Sequence, residues 1–336
     1  MKAYEVQQQF GIDSLKLIDR QQPEPRAGEV LVRMRAWSLN YRDLLMVKGL
    51  YDPKLPLPLT PLSDGMGEVV AVGANVTRVA VGDRVAGIFM QRWIDGQLTE
   101  AKSKSALGGA LPGVMAEYVV FDAEGVVRVP EHLTDVEAAT LPCAGVTAWH
   151  AVVVAGAIGE SSTVLTLGTG GVSVFALQFA RMLGARVIAT SGSDEKLQRV
   201  IQLGASEGIN YKVVPEWGKR VRELTGGTGV DLVVEVGGAG TLGESLRAVR
   251  MGGQISLIGV LSGAGQVNPM PILMKNVRVQ GIFVGSRTMF ESMNEAISRH
   301  QLRPVVDRVF AFEDVREALG HMESGAHFGK IVVRLA

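Results

Sequence analysis

Residues 163 to 184, TVLTLGTGGVSVFALQFARMLG, carry the pattern that most restricts the fold. A short apolar β-type run meets a glycine turn and then an apolar stretch of helical length. Thr163, Val164, Leu165 and Leu167 read as a strand buried on both faces, and Val172 to Leu183 as a helix. Gly168, Gly170 and Gly171 allow the tight turn between them. Backbone N–H groups at such a helix start, with the positive end of its dipole, suit a phosphate group, and glycines let the anion approach the backbone.

The spacing Gly168-x-Gly170-x-x-Ser173 is the dinucleotide fingerprint with serine at the third glycine, a residue small enough for close helix-strand packing. Alone this is a weak signal, and its context strengthens it. Arg186 to Ser191 reads as a second strand, Asp194 to Leu203 as a helix ended by Gly204, and Gly208 to Tyr211 as a third strand. Val230 to Val236, Gln254 to Gly259 and Val277 to Val284 follow as strands, with helices at Trp217 to Leu224 and Leu242 to Val249. Six strands with crossover helices predict an α/β class and a doubly wound parallel Rossmann sheet.

Residues 1 to 125 are written differently. Short strands at Lys2 to Val6, Ser14 to Ile18, Val30 to Ala36, Glu68 to Val72, Arg84 to Ile88 and Ala116 to Phe121 are separated by Gly and Pro turns, which predicts a β-barrel-like unit. Asn40 to Lys48 is a helical candidate, and the proline-rich stretch 53 to 61 is irregular. Met90 to Pro112 lacks periodicity and reads as a long loop or lid. Helices are expected at Met289 to Ser298 and Glu313 to Glu323. The last strand, Lys330 to Leu335, has no place in the six-stranded sheet and is expected to return to the first domain.

Positive and negative side chains balance at 34 each. With no long basic block, nothing points to nucleic acid or an anionic membrane as partner. The single cysteine, Cys143, excludes an internal disulfide and any zinc site built on several cysteines. No leader-like pattern opens the chain and no stretch is apolar enough to span a bilayer, so a cytoplasmic protein is expected.

Five segments together resemble the medium-chain dehydrogenase/reductase superfamily over essentially the whole length: Gly28 to Leu45, Gly67 to Val85, Leu141 to Trp149, Leu167 to Arg181 and His327 to Val333. The resemblance implies a GroES-like catalytic domain from residues 1-125 and 290-336. It also implies a Rossmann domain from 126-289, with the active site where the two meet. Within the superfamily the chain looks most like zinc-free, quinone-oxidoreductase-like members, many of which carry alcohol dehydrogenase names.

A catalytic zinc needs about three protein ligands and an open position. The positions similar to those of zinc-binding members hold Asn40, Ser63 with neighbouring Asp64, and Cys143, a poor donor set, so no metal is expected. Cys143 reads as a small packed residue beside the cofactor. The acid that grips an adenine ribose in NAD-binding folds is replaced by Ser191. Removing that carboxylate favours a 2′-phosphate, to which Ser193 and Lys196 can offer a hydroxyl and a charge. Resemblance suggests the same role for Ser191, Lys196 and Tyr211. NADP(H) is the expected cofactor; Asp194 and Glu195 keep NAD(H) open.

Without a metal Lewis acid, oxidising a simple alcohol is difficult, whereas a quinone or enone accepts hydride directly if its developing oxyanion is hydrogen-bonded. Asn40, Arg42 and Tyr51 are the candidates to contact the substrate. Each has a plain alternative: Asn40 a helix start, Arg42 an ion pair with Asp43 or Asp64, Tyr51 a pocket wall. His150 reads as a satisfied core histidine. Expected cofactor contacts are Thr147, the turn Gly168, Thr169, Gly170, Gly171 and Val172, and the strand ends at Gly237, Gly259 and Val260. By resemblance, Phe283, Val284 and Lys330 close over the nicotinamide, and a homodimer forms through the sixth Rossmann strand. The predicted activity is zinc-independent, NADPH-dependent reduction of a small quinone or enone carbonyl compound. An alcohol or aldehyde dehydrogenase, and a cofactor-binding protein with little turnover, are the rival readings.

Overall fold

The computed structural model describes residues 1–335, which divide into two compact units, Thr147–Val284 and the remainder on either side of it. Thr147–Val284 holds the predicted sheet. Its strands lie in the order Glu207–Asn210, Arg186–Ser191, Thr163–Leu167, Val230–Glu235, Val249–Leu257 and Arg278–Gly281. Every neighbouring pair is parallel. The order turns outward in both directions from Thr163–Leu167, which makes it a doubly wound Rossmann sheet. One layer of its core gathers Leu165, Ile188, Val233 and Ile255 with Trp217, Val221 and Leu246 of the crossover helices. Elsewhere in this unit Phe175 stacks on Phe179, whose ring meets the edge of Trp149. The sixth strand is shorter than predicted, because the chain leaves the sheet at Ile282 and Val284 adopts a left-handed φ of 56°.

The other unit is a β-barrel-like sheet. Its path runs Val306–Ala311, Lys330–Arg334, Glu29–Ser38, Asp64–Val72, Arg84–Gly87 and Val126–Arg128, with Tyr118–Asp122 also paired to Glu29–Ser38. A two-stranded ribbon, Lys2–Val6 with Leu15–Asp19, completes it. The last strand pairs antiparallel with Glu29–Ser38, setting Val333 opposite Trp37. Trp37, Tyr4 and Phe312 form an aromatic cluster in the core. By their contacts residues 126–146 group with this unit.

Met90 to Pro112 is not the featureless loop the sequence suggests. It contains a short helix, Glu100–Ser103, and bridges of Met90 to Ala106 and of Leu107 to Leu111. Met90, Trp93, Ala106 and Leu107 are buried, and Lys102 Nζ ties Asp95 O and Gln97 O at 2.7 and 2.9 Å. Buried apolar side chains without a regular period, together with these hydrogen bonds, hold the segment in place.

Candidate functional site

In the Rossmann unit the glycine turn has the geometry that a phosphate seat needs. Gly168 sits at φ +72°, and Gly170 caps the helix Gly171–Met182. A Cβ placed on either would meet no protein atom within 4 Å, so packing within the protein does not explain these glycines. The space before them is open, and the first N–H groups of the helix lack intrahelical partners. Ser173 fits in place of a third glycine because its hydroxyl is buried and donates to Leu167 O at 2.6 Å, which ties helix to strand end. Thr169 is buried beside it and Val172 is half-buried.

The second strand ends in a polar corner. Ser191 Oγ accepts from Ser193 N, and Ser193 caps the helix Asp194–Gln202 by accepting from Lys196 N at 3.4 Å. Tyr211 and Lys212 both lean over Gly192: a Cβ there would lie 2.7 Å from the Tyr211 hydroxyl and 3.0 Å from Lys212 Cε. Lys212 escaped the sequence reading; its signal was position, directly after Tyr211. Asp194 is held by Asn210, whose Nδ2 donates to Oδ1 at 2.7 Å.

At the other strand ends, Glu235 is fully buried and accepts from the N–H groups of Gly237 and Gly238 and from the hydroxyls of Thr241 and Ser245. That carboxylate fixes the turn after the fourth strand. Gly259 is packed against the Val236 backbone, while Val260 and Phe283 are exposed. Thr147 is buried. His150 Nδ1 pairs with Val284 O at 2.7 Å, and desolvation holds its pKa below the ordinary value.

In the barrel unit Asn40 precedes the helix Tyr41–Val47, and its backbone N–H donates to Asp43 Oδ2 at 2.8 Å. Its side chain belongs to a second system. Lys330 Nζ, with the residue only 3% exposed, donates to Asn40 Oδ1 and to Leu39 O at 2.5 and 2.6 Å. Asn40 Nδ2 donates to Ser63 Oγ at 3.3 Å, and Ser63 Oγ donates to Asp64 Oδ1 at 2.8 Å. Asp64 Oδ2 accepts the Cys143 N–H at 3.0 Å. Burial raises the Asp64 pKa to about 6 against the pull of Lys330. Burial, with Asp64 next, pushes the Cys143 thiol up.

The structure thus joins Asn40 and Lys330, which the sequence assigned to different tasks. Arg42 is engaged internally: Nη1 donates to Leu107 O and Asp43 Oδ1, Nη2 lies 3.4 Å from Gly108 O, and the guanidinium sits near the Tyr51 and Phe89 rings. Tyr51 itself is half exposed.

A catalytic zinc ion takes about three thiolate, imidazole or carboxylate donors. Asn40, Ser63, Asp64 and Cys143 fit it poorly. The Asn40 oxygen is taken by an ammonium and the Ser63 proton points at Asp64, which leaves one thiol and one carboxylate as donors. Among the described residues no group of three His, Cys, Asp or Glu side chains could hold a metal, and no helix is long and apolar enough to cross a membrane.

Comparison with known proteins agrees with this two-part architecture. Residues 26–131 match the alcohol dehydrogenase GroES-like domain and residues 171–299 the zinc-binding dehydrogenase family. A zinc-type alcohol dehydrogenase-like protein of Schizosaccharomyces pombe is 43% identical, over 97% of this chain and 96% of its own. A crystal structure of an NAD-dependent alcohol dehydrogenase superposes with a TM-score of 0.91 at 34% identity, covering all of both chains. A mycobacterial protein solved with NADPH gives 0.83 at 28%, over 99% of both. With the parallel sheet, the glycine seat and the barrel unit all in place, the chain belongs to the medium-chain dehydrogenase/reductase superfamily and is an oxidoreductase of that type.

Proposed function

We propose that the protein is a zinc-independent, NADPH-dependent reductase of quinones or α,β-unsaturated carbonyl compounds. The observation that carries this reading is the chain from Lys330 through Asn40 and Ser63 to Asp64, which presents a hydrogen-bond donor where a metal-dependent relative would need ligands. Bound NADPH supplies the hydride. Asn40 Nδ2 donates to the acceptor oxygen on which charge develops. Tyr51 walls the acceptor, and Arg42 braces Tyr51 from behind. A quinone or enone needs no deprotonation before it takes hydride. An alcohol does, and both nearby carboxylates, Asp43 and Asp64, are fully enclosed.

The choice of NADPH rests on Ser191, Ser193, Lys196 and Tyr211, to which Lys212 adds a second ammonium. Gly168 to Val172 seat the pyrophosphate, and Thr147, Gly237, Gly259, Val260, Phe283 and Val284 line the remaining cofactor surface. The exposed edge strand Arg278–Gly281 pairs two copies into a homodimer. The acidic start of the helix, Asp194 and Glu195, favours the second reading, an alcohol or aldehyde dehydrogenase using NAD.

The test is cofactor turnover by the purified protein after metal analysis, across 1,4-benzoquinone, an enone and simple alcohols. Faster turnover with quinone or enone in zinc-free protein is expected. Stoichiometric bound zinc, or a preference for alcohol with NAD, would sink the proposal.

A further inference from the structure

The geometry points to Lys330 as the positioning residue that fixes which face of the Asn40 carboxamide meets the substrate; this rests on the proposed role of Asn40 as oxyanion donor. An ammonium has three N–H groups and no acceptor. The amide atom 2.5 Å from Lys330 Nζ is therefore the oxygen, and the NH₂ group is turned the other way. At the far end Asp64, as a carboxylate, can only accept. With a donor-only group at one end and an acceptor-only group at the other, every bond in the chain points one way: Lys330 to Asn40, Asn40 to Ser63, Ser63 to Asp64. The Cys143 N–H closes the second lone-pair site of Asp64.

Asn40 Nδ2 donates to Ser63 and also faces Asp64; the hydrogen turned from Ser63 is the one an acceptor oxygen would draw, and Asn40 keeps 8% exposure. Reversing the amide would present a carbonyl oxygen to a developing oxyanion and repel it. The Asn40 backbone does not depend on Lys330, since Asp43 holds its N–H and the helix start. Lys330 therefore acts on the side-chain orientation of Asn40 and, through Leu39 O, on the backbone just before it. Its second bond, to Leu39 O, holds the ammonium in place while it does so.

The experiment uses the full chain with NADPH and 1,4-benzoquinone, comparing Lys330→Met, Asn40→Ala and the double variant. The expected result is a fall in kcat of at least tenfold for Lys330→Met, with quinone KM and NADPH Kd within twofold. The loss should vanish in the Asn40→Ala background, because the two residues act as one unit. Weakened NADPH binding with unchanged kcat, or fully additive effects, would overturn the assignment and return Lys330 to a cofactor role.

A second measurement needs neither turnover nor the buried methionine. In ¹⁵N-labelled wild type, a slowly exchanging lysine ammonium resonance should be present, vanish in Lys330→Gln and shift in Asn40→Ala. If no quinone or enone is reduced, the reaction reading fails while this resonance still decides the Lys330–Asn40 link. An ammonium signal indifferent to Asn40→Ala overturns that link.

Discussion

Asn210 holds Asp194: the amide Nδ2 donates to the carboxylate Oδ1 across 2.7 Å, from the end of one Rossmann strand to the first turn of the preceding helix. That bond takes one acceptor site of the acid and fixes its position, while Lys196 and Lys212 bring the positive charges of the corner. Lys196→Ala and Lys212→Ala should each raise the NADPH Kd about tenfold, as expected for one charge-assisted bond, while NADH changes little. Ser191→Asp should reverse the preference. Fluorescence titration with both cofactors decides it, and equal losses for NADH and NADPH would remove the 2′-phosphate from the corner.

Gly168 and Gly170 separate a backbone requirement from a ligand requirement. Gly168 has a left-handed φ, so Gly168→Ala should cost about 1 kcal/mol of stability. Gly170 has φ −77° and open space around it, so Gly170→Ala should leave the melting temperature nearly unchanged while weakening cofactor binding. A stable Gly170→Ala protein that binds cofactor as well as wild type would mean the seat is empty of function.

Asp64 predicts a pH dependence of stability. Its pKa rises from 3.8 to about 6 in the folded chain, through burial and the neighbouring Asp43 charge, opposed by Lys330. The native state therefore holds a proton that the unfolded chain has released between those values. Its contribution to stability is full below pH 4 and declines as pH rises to about 6, by roughly 3 kcal/mol at most. The difference in urea midpoint between wild type and Asp64→Asn should follow this slope from pH 4 to 7.5, because Asp43 and His150 titrate in both proteins and cancel in the difference.

His150 works in the opposite direction. Desolvation depresses its pKa below 6.5 although Val284 O accepts its ring N–H. The unfolded chain binds the proton first as pH falls through 6.5, so stability drops on acidification. His150→Phe should abolish that drop. It should also raise amide exchange at Phe283 and at Val284, the residue with the left-handed backbone, whose carbonyl has lost its partner.

The sixth strand supports a test of assembly. Ile282 N–H pairs inward with Leu257 O, so by alternation Val279 N–H points outward from the sheet edge. Val279→Pro removes an outward donor and should convert a dimer to a monomer in light scattering, with cofactor binding intact. A wild-type monomer would remove the proposed interface altogether.

The parallel strands were legible because burial on both faces writes them as unbroken apolar runs, as in Thr163–Leu167 and Val230–Glu235. Val306–Ala311 was not, since Asp307 and Arg308 interrupt it and much of it faces outward. Val126–Arg128 is too short to announce itself. The wide helical turns Leu141–Gly145 and His150–Val154 follow a five-residue hydrogen-bond spacing that the apolar pattern does not display. Asn40 and Tyr51 could be singled out from local sequence, but the partners that define Asn40 lie far along the chain. Arg42 read as a substrate contact or an ion-pair partner, because sequence does not reveal the carbonyls of Leu107 and Gly108 that accept from its Nη groups.

The bond from Lys330 to Asn40 spans 290 positions of sequence. The parallel sheet is complete in sequence by Gly281, so in a chain made from its N-terminus the Lys330–Asn40 bond is among the last long-range contacts that can form.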